Sequence, residues 1–159
     1  RRWPDGCSER DVMEIRWASP FDISSIAALI VVMHKEAEFE LATMNSEKLM
    51  SQINELVHRG IVLVAVEDGR IVGTIGGRQG LDWWSDEKYF GDLWFYVLKE
   101  ARSSRTAISL VKRFVKEIKN LSPDIKIRLG HVFSGDCDRK DKFFERLGFK
   151  KAGSVFMEV

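Results

Sequence analysis

The spacing of apolar residues changes period several times along the chain, and each change predicts an element. Val12, Met13, Glu14, Ile15, Arg16 and Trp17 alternate well enough for a first strand. Pro20 and Asp22 mark a helix start, with Asp22 as a potential N-cap, and Ile26, Ile30, Met33 and Ala37 then fall on one helical face. A second helix follows Asn45 or Ser46, with Ser46 as a potential cap, carries Leu49, Ile53, Leu56 and Val57 on one side, and ends at Gly60. Residues 61–66 read as an apolar strand, Asp68-Gly69 as a tight hairpin turn and residues 71–77 as the partner strand. Gly73, Gly76 and Gly77 in that partner suggest a bend or a close approach by another chain segment. Residues 79–90 read as a long link holding Trp83, Trp84, Tyr89 and Phe90.

Residues 93–98 form an uninterrupted apolar strand, and a polar loop over 100–106 leads into an amphipathic helix from about Ala107. Ala107, Val111, Phe114, Val115 and Ile118 line its inner side, with Lys112, Arg113, Lys116 and Lys119 mostly outside. Ile125, Ile127 and Leu129 alternate as a fifth strand leading to His131. A last helix over 138–147 ends at Gly148, a suitable left-handed cap, and residues 154–159 read as a closing strand. The order β-α-α-β-β-β-α-β-α-β predicts an α/β (α+β) domain, a mixed central sheet flanked by helices, over residues 11–159. Residues 1–10 read as a loose lead-in.

Composition narrows the function classes. A chain of 159 residues with 45% hydrophobic and 31% charged residues suits one globular domain. No apolar run is long enough to span a membrane and no signal peptide is visible, which points to a cytoplasmic setting. The 25 basic and 24 acidic residues nearly cancel, so charge makes no global case for nucleic acid. Cys7 and Cys137 are far apart and form no metal-ligand spacing, which suggests two reduced thiols, with a disulfide as the alternative.

The passage from strand 93–98 through a short loop into a helix is the place where chemistry concentrates. Such a turn aims several unpaired backbone N–H groups, and the positive end of the helix dipole, at one spot suited to phosphate. A plain capped helix gives the same local pattern. The loop Arg102-x-x-Arg105-x-Ala107 resembles the [Gln/Arg]-x-x-Gly-x-[Gly/Ala] loop of the GNAT N-acetyltransferases. Tyr96-Val97-x-x-Glu100-x-Arg102 is similar to that superfamily's strand ending Tyr-Val-x-Pro-Glu-x-Arg, with Lys99 where Pro is usual and Arg105 where the middle Gly is usual. Downstream, Phe144-Glu145-Arg146-Leu147-Gly148-Phe149 resembles the ending Tyr-Glu-Lys-Leu-Gly-Phe, with Phe144 where Tyr is common. Met33-His34-Lys35-Glu36-Ala37-Glu38-Phe39 resembles a branch often found in bacteriophage genomes, which implies a phage or host protein as partner and a host cytoplasm or virion as location.

The resemblance implies a GNAT fold and an acetyl-CoA-dependent transfer of an acetyl group to a primary amine of a small molecule, protein or peptide, by a chain that often pairs as a homodimer. It implies that Arg102, Ser103, Ser104, Arg105, Thr106, Ala107 and Ile108 hold the pyrophosphate. It implies that the strand splays from its neighbour at Phe95, Tyr96 and Val97 and holds the pantetheine arm there, with the Val97 N–H polarising the thioester carbonyl and Phe144 beside the sulfur. For the amine's proton, His131 at a strand end has suitable chemistry, though a packed or solvent-facing imidazole is the plainer alternative. Glu36 and Glu38, late in the first helix, could bind or deprotonate the amine through water, or form a solvated helix end. Glu100 suits helix capping or charge balance as well as catalysis, and His34 and His58 read as surface positions. Trp83-Trp84 could wall an acceptor site, dock a protein or cover the core edge. Phe144 and Arg105 also admit an alternative function: a catalytically silent CoA-binding or interaction module of the same fold.

Overall fold

A computed structural model describes residues 13–38, 41–102, 105–131 and 136–158. The elements follow the expected order: β1 (Glu14–Trp17), a 3-10 turn (Pro20–Asp22), α1 (Ile23–Lys35), α2 (Ser46–Arg59), β2 (Ile61–Glu67), β3 (Arg70–Leu81), β4 (Lys88–Val97), a second 3-10 turn (Lys99–Ala101), α3 (Thr106–Leu121), β5 (Lys126–Arg128) and α4 (Cys137–Arg146). The five strands make one sheet in the order β1-β2-β3-β4-β5, antiparallel except for the parallel pair of β4 and β5.

Local chemistry explains most of the boundaries. Asn45, not Ser46, caps α2 by accepting the Lys48 N–H at 2.9 Å. Asp22 does not cap α1 with its side chain. Its carboxylate turns back to accept the Ser19 N–H at 2.7 Å and both terminal nitrogens of Arg16, at 2.7 and 3.0 Å. That ion pair, together with the Ser19 amide and despite an opposing effect of burial, holds Asp22 down to about 2. Asp68 (φ 50°) and Gly69 (φ 72°) both adopt positive φ, as a two-residue hairpin turn demands. At the end of α4, Gly148 at φ 92° donates to Glu145 O and Phe149 donates to Phe144 O, satisfying two orphan carbonyls.

The sheet separates two apolar layers. On one side Ile26, Ala27 and Ile30 of α1 and Ile53 and Leu56 of α2 pack with Val62, Val64 and Trp94. On the other, Leu110, Val111, Phe114 and Ile118 of α3 pack with Leu63, Ile75 and Phe90. On α3, Leu110 is buried, while Ala107 and Val115 are only partly so.

Three expectations need correction. The link expected at 79–90 shrinks to residues 82–87, because β3 runs on to Leu81 and β4 begins at Lys88, with Tyr89 and Phe90 already inside the ladder. Gly80 and polar Gln79 and Lys88 hide the strand period there, while backbone pairing with the neighbour sustains it. α1 stops at Lys35, so Glu36 caps it and Ala37 and Glu38 lie beyond. No strand forms over the described residues 150–158; Val155 and Phe156 are exposed. The lead-in over 1–10 with Cys7, and Val159, lie outside the described residues.

Candidate functional site

The site is built on the two unequal edges of β4. The Leu98 N–H donates to Val72 O at 2.8 Å, and Val97, Tyr96, Phe95 and Trp94 stand opposite Gly73, Thr74, Ile75 and Gly76. In an antiparallel ladder the bonding direction alternates, so Tyr96 and Trp94 bond towards β3 while the N–H and C=O of Phe95 and Val97 point the other way. On that other side β5 pairs only through Tyr89, Phe90 and Gly91. Immediately beyond, the Gly130 N–H goes to the Asp92 carboxylate at 2.9 Å. Among the described residues no strand meets β4 past that point, so the two strands part as a fork and the backbone of Phe95 and Val97 faces the gap. Leu93 is the extra residue of a bulge opposite Gly76 and Gly77, which re-aims the strand just where it leaves β5.

The mouth of the gap meets the start of α3. The first helical hydrogen bond runs from the Ser109 N–H to Arg105 O at 2.9 Å, so the N–H groups of Ala107 and Ile108 precede the helical ladder. Arg105 has φ −72°, a conformation open to any L-residue, so the backbone at this position needs no glycine. Its side chain is exposed, and Ser103 and Ser104 lie outside the described residues. Thr106 is fully buried and its hydroxyl donates to Glu67 Oε1 at 2.7 Å.

Arg102 closes one side of the mouth. Its Nε donates to the Val97 carbonyl at 2.8 Å, its Nη2 donates to Glu36 Oε2 at 2.8 Å, and its guanidinium lies 5.3 Å from the Tyr96 ring centre. Tyr96 donates its hydroxyl to the other oxygen of Glu36 at 2.8 Å. Burial opposes the charge on Glu36, but the Arg102 and Tyr96 hydrogen bonds outweigh it and hold the carboxyl below its ordinary range. Burial, then the Glu36 bond, pushes Tyr96 up to about 12. Glu36 is therefore a tied anion that joins the end of α1 to the end of β4. Glu38 is exposed, and Glu100 pairs with Arg70 at 3.4 Å on the surface.

The deep end of the gap holds groups of a different kind. Asp92 sits at the apex of the fork, half-buried, and burial pushes its carboxyl up to about 6 against the bonds from the Gly130 and its own backbone N–H groups. In the sequence this residue is hidden by the aromatic run that surrounds it. A lone acid among Phe90, Leu93, Trp94 and Phe95 is the signal that could have found it. On the opposite arm, the ring of His131 stacks on Phe144 with centroids 5.9 Å apart and planes within 1°. Phe144 meets the Phe95 ring at 6.3 Å, so His131, Phe144 and Phe95 line one end of the gap together. His131 Nε2 lies 2.8 Å from Asp141 Oδ1, and Lys151 Nζ lies 2.8 Å from Asp141 Oδ2. Lys151 first, and then His131, hold the Asp141 carboxyl below its ordinary range.

Other candidates stand apart from the gap. His34 bonds Ala42 O at 3.0 Å and His58 bonds Asn54 O at 2.8 Å. Trp83 and Trp84 meet edge to face at the exposed tip between β3 and β4, so they do not cover the core edge. A groove of about 460 Å³ runs between α3, β5 and residues 147–149. Among the described residues no cluster of His, Cys, Asp and Glu could hold a metal, and no helix is long and apolar enough to cross a membrane.

Residues 58–151 match the model of the acetyltransferase (GNAT) domain. No curated protein matches the chain. Solved structures share the fold at low identity. An aminoglycoside N-acetyltransferase, AAC(6')-Iy, in complex with CoA superposes with a TM-score of 0.72 at 14% identity, over 96% of this chain and 97% of that one. A predicted acetyltransferase with acetyl-CoA from Clostridium acetobutylicum gives a TM-score of 0.72 at 18% identity, over 93% and 96%. Glucosamine-6-phosphate N-acetyltransferase from Arabidopsis thaliana gives 0.69 at 13% identity, over 94% and 99%.

Proposed function

The chain belongs to the GNAT acetyltransferase family, and we propose that it is an acetyl-CoA-dependent N-acetyltransferase that passes the acetyl group directly to a primary amine. One observation carries this reading: the free edge of β4 at Phe95 and Val97 opens straight onto the first turn of α3. An extended amide arm finds strand-like partners on such an edge, and a diphosphate at its end finds backbone N–H groups and a helix dipole. Solved relatives of the same fold hold CoA or acetyl-CoA. In this reading residues 11–159 are one catalytic domain acting in the cytoplasm, where acetyl-CoA is the acyl donor.

The residues divide the work as follows. Ala107 and Ile108 present N–H groups to the pyrophosphate, with Arg102, Ser103, Ser104, Arg105 and Thr106 completing the loop around it. Phe95, Tyr96 and Val97 hold the pantetheine arm, and the Val97 N–H lies along the edge where the thioester carbonyl gains charge. Holding both reactants in the fork supplies the proximity term. Arg102 already occupies the Val97 carbonyl, so the arm pairs with the Phe95 groups and the Val97 N–H, or displaces Arg102. Glu36 acts by fixing Arg102 and Tyr96 at the border between donor and acceptor sides. Asp92, with a carboxyl near 6, has the chemistry to accept the amine's proton near neutral pH, and because a strand rises about 3.3 Å per residue it would do so through water rather than directly from the Val97 end. His131 and Phe144 line the end where the sulfur would lie. The acceptor is a small-molecule amine or a protein or peptide amine.

Thermal melting in the presence of acetyl-CoA tests the donor site, because a ligand that binds only the folded state raises the melting temperature. Thiol release is then followed across a panel of small amines, aminoglycosides and lysine peptides. The expected result is a rise in melting temperature and thiol release with at least one amine class. No rise at saturating acetyl-CoA overturns the reading. A rise without thiol release for any amine identifies a silent binder of the same fold.

A further inference from the structure

Resting on that reading, we propose that Lys140 is a further ligand of the donor: its ammonium closes the mouth of the gap from the α4 side and holds the diphosphate against the first turn of α3. The argument starts from the faces of α4. Asp138, Arg139, Lys142, Glu145 and Arg146 are exposed, while Lys140, Asp141, Phe143 and Phe144 are half-buried. Residues three and four apart lie on one side of a helix, so Lys140 shares the side of Phe143 and Phe144. That side is the one that meets β4, since the rings of Phe143 and Phe144 lie 6.1 and 6.3 Å from the ring of Phe95. Asp141 is the other charged residue of the half-buried set, and His131 and Lys151 account for its position.

The run of α4 decides what Lys140 can reach. At the deep end of the gap Phe144 stacks on His131. Lys140 instead lies close enough to Arg102 and Glu38 for their charges to act on it, so α4 runs from the mouth inwards. From Phe144 back to Lys140 the helix rises about 6 Å. From Phe95 to Val97 the strand advances about 6.6 Å. Lys140 therefore stands across the gap from Val97, whose carbonyl accepts from Arg102 Nε. Helical side chains lean towards the N-terminus of their own helix, which here is the mouth. The ammonium thus lies past the edge that binds the arm and well short of the end marked by Phe144.

The charge there is costly in the free protein. Burial first, and Arg102 as well, hold the Lys140 ammonium below its ordinary range, against the opposing pull of Cys137, Glu38 and Asp136. Arg102 shares the Glu36 carboxylate with Tyr96 and Lys99, so that anion is already divided among several donors. Two cations on facing elements, Arg102 after β4 and Lys140 on α4, repel each other across the gap, and an anion set between them removes the repulsion. A diphosphate diester is a dianion, and the N–H groups of Ala107 and Ile108 give it a seat at the same level. An ammonium on a flexible stem meets phosphate oxygens without a fixed geometry. A neutral amide arm has no comparable use for it, and the thioester lies too deep.

Calorimetry with three probes separates the parts of the donor: CoA itself, dephospho-CoA, which keeps the diphosphate and lacks the 3′-phosphate, and pantetheine, which has no phosphate. Wild type, Lys140→Met, Lys140→Gln and Lys140→Arg are compared, with thermal melting as the check on folding. Both neutral variants should bind CoA and dephospho-CoA at least about 10-fold more weakly, about 1.4 kcal/mol, and pantetheine within about twofold of the wild type. Lys140→Arg should recover most of the loss. The salt dependence of CoA binding should be shallower in the neutral variants, a change that lost packing alone would not produce. Unchanged CoA affinity in a folded neutral variant overturns the inference, for the lysine then only extends into water. A loss with CoA but not with dephospho-CoA also overturns it, by assigning Lys140 to the 3′-phosphate. An equal loss with pantetheine does the same, by assigning it to the arm. All three results leave the donor site standing. Failure of the wild type to bind CoA overturns the donor site itself, and this inference with it.

Discussion

The two edges of β4 show how one strand serves as scaffold on one side and as a binding surface on the other. Towards β3 the pairing is continuous from Lys88 to Val97 apart from one bulge. It is packed so closely that a Cβ at Gly76 would come within 2.3 Å of the Trp94 ring. Towards β5 the pairing ends after three residues, and the next link is a side chain, Asp92, on a backbone N–H. The helices differ in the same way. α3 buries five residues against the paired part of the sheet, whereas α4 buries none and meets the gap through Phe143 and Phe144. A fully bonded edge could not accept an extended ligand, and a strand free on both edges would not hold its register.

The largest effect expected from this contrast is on folding. A methyl group at Gly77 would lie 2.2 Å from the Gly91 carbonyl oxygen and 3.0 Å from the Asp92 Cα, both backbone atoms. Gly77→Ala should cost about 3 kcal/mol or more. At Gly91, the last residue paired with β5, the nearest atoms are the Tyr89 ring at 3.2 Å and Arg128 O at 3.7 Å. Gly91→Ala should cost less than about 1 kcal/mol. Urea unfolding of the two variants checks the contrast, and equal losses would mean that the two edges are not different in kind.

The next effect is on binding alone. Ala107→Glu sets a carboxylate among the first N–H groups of α3. Negative charge at a helix start is mildly favourable for the fold and offsets part of the packing lost at half-buried Ala107, so the variant should stay folded at the assay temperature. It should weaken acetyl-CoA at least about 100-fold, about 2.7 kcal/mol, as read by calorimetry. Unchanged affinity would put the diphosphate elsewhere.

Asp92 sits where the two regimes meet, and there function and stability should oppose each other. Its carboxyl is raised from 3.8 to about 6 by burial. A group with a raised folded pKa gives its relative stability below the unfolded value, and that stability is lost as pH rises through the folded value. Asp92→Asn keeps an acceptor for the Gly130 N–H and avoids the charge. It should match the wild type below about pH 4, gain between about 4 and 6, and be about 3 kcal/mol more stable above. Acetyl transfer should fall at least about 100-fold in the same variant. A variant stabilised equally at pH 3 and pH 8 would show that the charge is not the cause.

The sequence made the paired part of the molecule legible. Asp68-Gly69, the cap at Gly148 and the glycines of β3 each state a local geometry that the fold then uses, while the cap of α2 falls on Asn45, one residue before the expected Ser46. The loop before α3 was legible as well, because a strand-to-helix turn needs few residues to declare itself. The fork was legible only through the resemblance. Whether β4 is paired beyond Gly91 depends on where β5 points, and nothing in residues 93–98 differs between a bonded and a free edge. Asp92, Asp141 and the Arg102–Glu36–Tyr96 cluster escaped for the same reason. Each depends on partners 10 to 66 residues away in sequence, for which no short-range period exists. The closing strand failed in the opposite sense. Val155, Phe156 and Met157 form an apolar run, but such a run alone does not supply a partner, and the described residues there pair with none.

The smallest effect tests whether the β3 edge is held by shape alone. Trp94 lies over Gly76 and donates its indole N–H to the Thr74 hydroxyl at 3.1 Å, and Thr74 is fully buried. Packing and hydrogen bond therefore act at the same ring, and a single substitution mixes them. Trp94→Phe removes the donor and some volume, and Thr74→Val removes the acceptor while keeping the branched shape. If the bond contributes, the two losses overlap, and the double variant should be about 1 kcal/mol less destabilised than their sum. Strict additivity would mean that the indole is retained on β4 for its fit over Gly76, and that the closed edge owes its register to glycine and ring volume with no help from the polar pair.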